Sequence, residues 1–263
     1  MGSATTQALA TSTAALEAAS GVDLDTAREL FAAARIVGDS PQLSGALADP
    51  AAAAAARSRV IADVFGAAFG KTTVDLLTTA VEQRWSSAPQ LIDGLEELAV
   101  RAAAISAPSV DVDGELFGVV RLIADNPELE LALGSRLGDE SAKGALTDAL
   151  LDGHASAATT LIVSSLVQQP RDRRVRPLLS HAMDIVADQR GSIVATVHTA
   201  TPLSAAQSER LSAVLSKRYG KQIGLNAVID PSVVGGLRVQ IADDVIDASV
   251  AARLTELRQR LAG

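Results

Sequence analysis

Apolar residues recur at helical spacing along most of the chain, between Leu24 and Val186. They stand three or four positions apart, which places them on one face of a helix in each run. Pro41, Pro50 and Pro89 follow small or polar residues, as is typical of helix starts. The pattern predicts a bundle of short helices joined by short loops, with apolar runs at 24–34, 60–65, 91–102, 116–123, 161–166 and 178–186.

One helical segment recurs along the chain at a nearly constant distance. The sequence LFAAARIVGDSPQLSGAL from Leu30 resembles LFGVVRLIADNPELELAL from Leu116, 86 residues later. Because such self-similarity indicates a duplicated structural unit, we predict two copies: repeat one in residues 1–105 and repeat two in residues 106–190. The matched pairs that carry this prediction include Phe31 and Phe117, Arg35 and Arg121, Asp39 and Asp125, and Pro41 and Pro127.

The spacing of apolar residues changes at Gly191. Apolar and polar residues alternate over 193–199, which predicts a β-strand. Ser204 and Gln207 then form a capping-box pattern that opens a helix, and Gly220 is placed to end it.

Two further alternating runs, at 223–229 and 237–241, predict strands. A final helix has an apolar stripe that we expect to cover the sheet. The whole chain is therefore predicted to be mainly α, with a duplicated helical-bundle unit followed by a small C-terminal α/β module at 191–263. The stripe consists of Val250, Leu254, Leu257 and Leu261.

Composition excludes several classes of protein. The net charge of −8 and an aromatic content of 2% argue against a nucleic-acid binder, which needs basic and base-stacking surfaces. The absence of cysteine excludes disulfides and thiolate chemistry. No apolar run is long enough to span a membrane, and residues 1–16 lack the pattern of a signal peptide, so we expect a soluble protein on the cytoplasmic side.

Candidate chemical motifs are weak. The segment from Gly66 to Thr72 resembles a phosphate-binding loop, but it has three residues between its glycines where four are needed, and a helical pattern precedes it. We therefore interpret it as a connection between helices. Three scattered histidines have no metal-ligand spacing, and no arrangement for acid–base catalysis is evident, so we expect no cofactor, no metal and no catalytic residue. The histidines are His154, His181 and His198.

A basic run occupies residues 171–176 between two helices of repeat two. In one interpretation it is a solvated loop whose arginines pair with nearby acids. In the other it is a docking site for an acidic partner. The first is favoured, and the second stays open.

The last 74 residues closely resemble the delta subunit of the F-type ATP synthase, the family of the mitochondrial oligomycin-sensitivity-conferring protein. The segments that carry the resemblance are RGSIVATVHTATPLS from Arg190, DPSVVGGLRVQI from Asp230, and VIDAS from Val245. Upstream, DNPEL from Asp125 resembles the end of the family's second helix. The signature residues are Arg190, Gly191, Pro202, Asp230, Gly235, Gly236, Asp247, Ser249 and Leu254.

An ordinary family member corresponds to about residues 90–263, so that the helix at 89–105 together with repeat two resembles the usual six-helix N-terminal bundle. The preceding residues are then an extra copy, as in longer actinobacterial forms. The resemblance implies a non-catalytic stator subunit of the peripheral stalk. Such a subunit resists the torque of rotation during ATP synthesis and lies peripherally at the cytoplasmic face of the bacterial membrane, reaching the membrane only through the complex.

The resemblance also implies two partners. The helical bundle of the family binds the N-terminal helix of an alpha subunit between its first and fifth helices, which we expect in repeat two at about 95–105 and 158–168. The C-terminal module binds the ends of the b subunits, which we expect to contact a basic face of the final helix. The candidate partner-binding residues are Leu95, Leu98, Leu161, Leu166, Arg253, Arg258 and Arg260.

Two hypotheses from other classes remain. One is a nucleotide-dependent protein that uses Gly66 to Thr72, which ATP binding by the isolated chain would favour. The other is an unrelated helical adaptor, which failure to co-purify with ATP synthase subunits would favour.

Overall fold

The computed structural model describes residues 2–135, 138–171, 173–241, 244–250, 252 and 254. The chain divides into two compact units, Met1–Val186 and Ala187–Gly263. The first unit is helical and the second contains a mixed sheet, so the predicted fold class, mainly α with a C-terminal α/β module, is confirmed.

The helical unit is built from short helices, several of which begin where the sequence indicates. Pro41 and Pro127 each occupy the first turn of an eight-residue helix, and Pro89 lies in the first turn of a longer one. Pro50, by contrast, lies in a turn, and the next helix starts four residues later. The helices are α1 Ser3–Ala18, α2 Leu24–Asp39, α3 Pro41–Ala48, α4 Ala54–Phe65, α5 Lys71–Glu82, α6 Ala88–Ser106, α7 Val112–Asp125, α8 Pro127–Gly134, α9 Glu140–Leu151, α10 Ala157–Gln168 and α11 Val175–Gln189.

The helix boundaries recur at the same distance as the sequence. The starts of α3 and α8 are 86 residues apart, as are the ends of α4 and α9 and both ends of α5 and α10. Several helix contacts recur as well, since α1 packs on α5 as α6 packs on α10, and α4 packs on α5 as α9 packs on α10. In this order α6 has two roles, as the sixth helix of repeat one and the first helix of repeat two.

The dual role of α6 explains its burial. It contacts α1, α2, α3 and α5 from repeat one and α10 from repeat two. Its side chains are buried on almost every side, including the fully buried Leu95 and Leu98 and the ion pair of Glu97 with Arg101. A helix that is apolar around most of its circumference belongs in a core, and α6 is the central helix of the unit.

The C-terminal unit contains β1 Ser192–Thr199, α12 Ala205–Tyr219, β2 Gln222–Ile229, β3 Leu237–Ile241 and β4 Asp244–Asp247. The strand order is β2-β1-β3-β4, with β1 parallel to β2 and both β1–β3 and β3–β4 antiparallel. The helix α12 connects the parallel pair, as such a connection requires. The capping box of Ser204 with Gln207 opens it, and Gly220, with φ of 71°, ends it.

The core of this unit differs from the expectation in one respect. Leu215 of α12 is buried against the sheet, with Leu211 and Tyr219 beside it. Val250 and Leu254, expected to cover the sheet, are 45% and 52% exposed, so that expectation is wrong at both positions. The crossover helix between parallel strands covers a sheet face itself, which leaves these two residues outside the core. Leu257 and Leu261 lie outside the described residues.

Candidate partner-binding surfaces

A carboxylate on the second helix of repeat one holds the start of the fifth helix. Glu29 of α2 accepts hydrogen bonds from the backbone N–H of Gly70, at 2.9 and 3.1 Å to its two oxygens, and from the hydroxyl of Thr73. Gly70 is the N-cap residue of α5 and has no side chain to cap it. The carboxylate therefore satisfies a helix-terminal N–H from a neighbouring helix, where a negative charge is also favoured.

The same arrangement occurs 86 residues later. Glu115 of α7 accepts hydrogen bonds from the backbone N–H of Ser156 at 3.0 Å, from its hydroxyl at 2.7 Å, and from the hydroxyl of Thr159. Ser156 is the N-cap residue of α10. We call these two arrangements the glutamate clasps; each fixes a fifth helix against a second helix.

A second contact also recurs. Arg57 of α4 is buried and donates to the backbone carbonyl of Asp49, the residue that ends α3. Lys143 of α9, 86 residues later, is equally buried and donates to the carbonyl of Ser135, which ends α8. In both copies a buried cation satisfies a helix-terminal carbonyl, which is favourable because the last carbonyls of a helix lack partners within it.

The roles of Glu29, Glu115, Arg57 and Lys143 are not evident when each residue is considered alone. A signal was present, since the 86-residue distance that relates Leu30 to Leu116 also relates Glu29 to Glu115 and Thr73 to Thr159. Polar residues that match across a repeat and lie beside buried positions indicate a shared structural contact.

Most of the leucines predicted to bind a partner helix lie in the core. Leu95 and Leu98 of α6 are fully buried, and Leu166 of α10 is 3% exposed. Leu95 and Leu98 present no surface to a partner in this structure, because α6 is enclosed by helices of both repeats. Leu161, which is half-buried, lines an open groove.

That groove lies beside α10, with a wall formed by α2 and α9. Its volume is about 810 Å³. Its lining mixes apolar side chains with polar and charged ones, and the latter include Arg28, Arg35, Asp148, Asp152 and Gln168. A smaller groove of about 460 Å³ lies between the C-terminal part of α1 and α5, and its lining consists mostly of small side chains: Ala15, Ala18, Ala19, Ser20, Thr72, Asp75, Leu76 and Thr79.

Three of the four arginines of the basic run are paired with acids of the same unit. Arg171 contacts Asp93 at 2.9 Å and Glu96 at 2.5 Å, and Arg173 contacts Glu96 at 2.8 Å. Arg176 pairs with Glu130 at 3.0 Å. These contacts favour the interpretation as a loop that pairs with nearby acids, and they attach the loop to α6 and α8.

The loop from Gly66 to Thr72 connects two helices, as the sequence predicts. It joins α4 to α5, so no strand precedes it. The N–H of Gly70 is bonded to Glu29, and Lys71 pairs with Asp75 at 2.5 Å. A phosphate-binding loop directs free N–H groups and a lysine at its ligand, whereas here one such N–H and the lysine are engaged within the protein.

The paired glycines of the C-terminal signature have a conformation that other residues rarely adopt. Gly235 has φ of 68° and Gly236 has φ of 78°. A Cβ atom on Gly236 would lie 2.5 Å from the carbonyl oxygen of Ala248, which is too close for any side chain. The close approach joins the start of β3 to the segment after β4, where Val250 donates its N–H to the carbonyl of Gly235. These glycines are structural.

Two signature aspartates form turns of the same kind. Asp230 accepts hydrogen bonds from the N–H and hydroxyl of Ser232, and Asp247 accepts from the N–H of Ser249 at 2.9 Å. The side-chain and backbone hydrogen bonds from these serines lower the pKa of each aspartate below its usual value. Asp230 also lies 3.6 Å from Nδ1 of His198 on β1.

The other signature residues lie near turns. Arg190 and Gly191 follow α11, and Gly191 has φ of 66° where the chain turns into β1. Pro202 is exposed in the connection to α12. Leu254 is helical and exposed. The predicted partner-binding residues Arg253, Arg258 and Arg260 lie outside the described residues.

Among the residues that the structure describes, no group of histidine, cysteine or acidic side chains could hold a metal ion. Within the same residues, no helix is long and apolar enough to cross a membrane.

A family model described as the ATP synthase delta (OSCP) subunit matches residues 98–261, which is more than half of the chain. The chain belongs to the ATP synthase delta (OSCP) subunit family. The match begins inside α6 and so includes repeat two and the C-terminal unit. The predicted resemblance is thereby confirmed.

Relatives in the delta subunit family extend over repeat one as well. A protein of Leifsonia xyli named ATP synthase subunit delta is 49% identical over 100% of both chains. The protein of that name from Streptomyces avermitilis is 40% identical over 94% of this chain and 93% of its own. A chain in a cryo-EM structure of the Toxoplasma gondii mitochondrial ATP synthase hexamer matches 64% of this chain and 98% of its own, with 25% identity and a TM-score of 0.39.

Proposed function

We propose that this protein is a non-catalytic stator subunit of a proton-translocating F-type ATP synthase. Membership of the delta subunit family carries the proposal, since relatives that match the whole chain bear the name ATP synthase subunit delta. In this function the protein links the catalytic head to the peripheral stalk and resists rotational torque. It acts at the cytoplasmic face of the bacterial membrane, which it reaches only through its partner subunits.

In the proposal, the helical unit binds the N-terminal helix of an alpha subunit. Grooves between helices bind amphipathic helices through apolar anchors at helical spacing. Among the open grooves in the described part of the unit, one lies between α1 and α5 and one between α2 and α10. Because Leu95, Leu98 and Leu166 are core residues, a groove is a better candidate than the predicted leucine surface.

The C-terminal unit binds the ends of the b subunits in this proposal. This unit is the smaller of the two. It nevertheless contains six of the eleven large apolar side chains that are exposed in the described residues. A contiguous patch of exposed apolar residues is typical of surfaces that contact other proteins, so these six residues are the candidates for such a contact. The six are Val214, Ile229, Val234, Val245, Val250 and Leu254.

Affinity purification of the tagged full chain from its own organism tests the function. The expected result is recovery of the alpha and b subunits in fixed proportion with the chain. The double variant Arg258→Glu and Arg260→Glu should lower recovery of the b subunits and leave recovery of alpha unchanged, because complementary charges between partners mainly set orientation and association rate. Recovery of the wild-type chain without either subunit would overturn the proposed function.

A further inference from the structure

A cavity of about 270 Å³ lies in the helical unit where elements of both repeats meet. Its walls come from α1, α6, α10 and α11 and from the loops that precede α6 and α11. Much of the lining is apolar, and several polar side chains converge on the same space. An apolar wall with a few polar groups is typical of a small-molecule site. The apolar wall includes Leu9, Val100, Leu166, Leu178 and Ile185.

One wall of the cavity is the indole of Trp85, the only tryptophan of the chain. Its Nε1–H donates to the backbone carbonyl of Ala80 at 2.8 Å, and the side chain is 3% exposed. The ring packs so closely on Gly94 of α6 that no Cβ atom fits between them. The indole is therefore held from two sides, and it gives the cavity a fixed apolar wall whose N–H is already bonded.

Two neighbouring carboxylates of α6 line the cavity, and each uses only one oxygen for the arginines beside it. Oε1 of Glu97 accepts both hydrogen bonds from Arg101, at 2.7 and 3.1 Å. Oε2 of Glu96 contacts Arg171 at 2.5 Å and Arg173 at 2.8 Å. Among the described residues, no donor reaches the second oxygen of either carboxylate. Each acid therefore has an acceptor oxygen to spare.

The donors of the lining are mostly engaged within the protein. Arg173 donates from Nε to the carbonyl of Pro170 at 3.0 Å and from Nη2 to Glu96, and its Nη1 lies 3.8 Å from Asp93. Thr5 donates to Gln90, and the side chain of His181 is exposed. Because the cavity has spare acceptors and few free donors, it favours a ligand that donates hydrogen bonds and carries positive charge.

The buried pair of Glu97 and Arg101 is not explained by the bundle itself. Both residues are 8% exposed, whereas their counterparts on α1, 86 residues earlier, are the uncharged Thr11 and Ala15. Burial of an ion pair costs desolvation free energy, which the attraction offsets only when further hydrogen bonds satisfy the remaining groups. Oε2 of Glu97 is not one of the sealed buried atoms that lack a partner. It is therefore open to the cavity, where a ligand can supply the missing donor.

We propose that this cavity binds a small organic cation, namely a primary amine that carries one apolar ring or short chain. The ammonium group donates to Oε2 of Glu97, with Glu96 beside it, and the apolar part lies against Trp85 and the aliphatic wall. The volume is just below the range for drug-sized ligands, so the ligand is about one ring with a short side chain. Because both repeats line the cavity, the bound amine holds repeat one against repeat two. The site does not depend on the proposed stator function.

The single tryptophan provides the test, because its fluorescence reports on this cavity alone. The probe is 2-phenylethylamine, titrated into the full chain. Two molecules of similar shape are the matched probes: 2-phenylethanol, which is neutral, and 3-phenylpropionate, which is an anion. Thermal unfolding with each probe is the second measurement, since a ligand that binds only the folded state raises the unfolding temperature.

The expected result is a saturable change in the fluorescence of Trp85 and a higher unfolding temperature with the amine. The alcohol and the anion should bind at least about tenfold more weakly, which corresponds to about 1.4 kcal/mol. Equal binding of all three probes would overturn the proposal, because the carboxylates would then have no part in recognition. Absence of a saturable response to the amine would overturn it as well.

Glu97→Gln removes the charge and replaces the spare acceptor oxygen with an amide, at nearly the same volume. It should weaken binding of the amine by about tenfold or more and leave binding of the alcohol unchanged. Glu17→Gln makes the same chemical change at an exposed position of α1, outside the cavity, and should leave both unchanged. Full binding of the amine by a folded Glu97→Gln variant would contradict the assigned role of this carboxylate.

A second variant tests the cavity without altering the buried ion pair. Ala182 of α11 is 2% exposed and lines the cavity, so Ala182→Leu directs a larger side chain into that space. It should abolish the response to the amine. Ala32→Leu makes the same change in the groove between α2 and α10 and should bind as the wild-type chain does. Amine binding that survives in a folded Ala182→Leu variant would place the ligand elsewhere and overturn the proposal.

Discussion

Repeats one and two share several internal contacts, but they differ in the burial of their first helices and in the N-caps of their fourth helices. Both have a glutamate clasp, from Glu29 in repeat one and Glu115 in repeat two, and a buried cation on the fourth helix. The first helices differ, since α1 is open on one side and α6 is enclosed. The N-caps of the fourth helices differ too: Asp139 caps α9, whereas Ala53 provides no cap for α4.

Some residues make contacts that both bundles share, whereas others differ according to where the copy lies in the chain. The clasp and the buried cation recur because each bundle needs its fifth and fourth helices held in place. The burial of the first helix depends on whether another copy precedes it. A difference at matched positions therefore indicates what the neighbourhood of a copy adds to the common bundle.

The largest expected change in the free energy of unfolding comes from a substitution in the first helix of repeat two, α6. Leu98→Ala should lower the free energy of unfolding by about 2–5 kcal/mol, because it leaves a cavity at a fully buried position between two repeats. The matched variant Ser12→Ala on α1 should cost less than about 1 kcal/mol, since it removes a hydroxyl bonded to the carbonyl of its own helix. Urea unfolding followed by helical circular dichroism measures both.

Equal losses for the two variants would contradict the assignment of α6 as the shared central helix. Deleting the whole of repeat one, residues 1–105, would not test this assignment, because that range contains nearly all of α6. A deletion of residues 2–23 removes α1 alone, and α6 should stay folded.

Removing a glutamate clasp should cause a smaller loss of stability. Glu115→Ala should lower the free energy of unfolding by about 1.5–3 kcal/mol, the range for hydrogen bonds to a charged group, because the buried Thr159 loses its acceptor. Glu29→Ala should cost somewhat less, since Gly70 donates only its backbone N–H whereas Ser156 also donates a hydroxyl. Chemical denaturation of both variants provides the measurement.

Glutamine at each position is the control for the clasps. It keeps the acceptor oxygen and removes the charge, so Glu115→Gln should retain part of the stability that Glu115→Ala loses. A Glu29→Ala variant that is less stable than Glu115→Ala would show that the hydroxyl of Ser156 adds nothing to the clasp.

Much of the fold follows from local sequence. Helix spacing, the prolines at helix starts and the change of spacing at Gly191 depend on residues near each other in the chain, and the structure has helices and strands at those places. The strand β4 was not predicted, because its four residues, Asp244–Asp247, have two adjacent apolar side chains between two acids and so lack the alternation of a strand. That strand depends on pairing with β3, which local spacing does not encode.

The candidate surfaces were harder to predict. A leucine at helical spacing has the same pattern whether it contacts its own core or a partner, so Leu95 and Leu98 could not be distinguished from surface anchors. Their burial depends on α2, which is more than fifty residues away in the chain. The groove beside α1 was missed for the converse reason, because small residues such as Ala15 and Ala18 give no pattern of their own.

The smallest effect concerns the N-caps of α4 and α9. Asp139 accepts hydrogen bonds from the N–H groups of Ser141 and Ala142, and its counterpart in repeat one is Ala53. Ala53→Asp should raise the free energy of unfolding by about 0.5–2 kcal/mol at neutral pH, because it supplies a missing acceptor at a helix start. Ala53→Asn supplies the acceptor without a titrating charge, and thermal unfolding across pH compares the two.

The pH dependence follows from Asp139. Hydrogen bonds from the hydroxyl of Ser141 and from two N–H groups hold the pKa of Asp139 below its usual value of 3.8. A carboxylate whose pKa is lower in the folded state stabilises the fold above its unfolded pKa and loses that effect as pH falls through the folded value. The added stability of Ala53→Asp should therefore fade below about pH 4, and that of Ala53→Asn should persist. A gain from Ala53→Asp that is unchanged at pH 3 would show that the new carboxylate does not cap α4, and that the two fourth helices begin differently for a reason other than this residue.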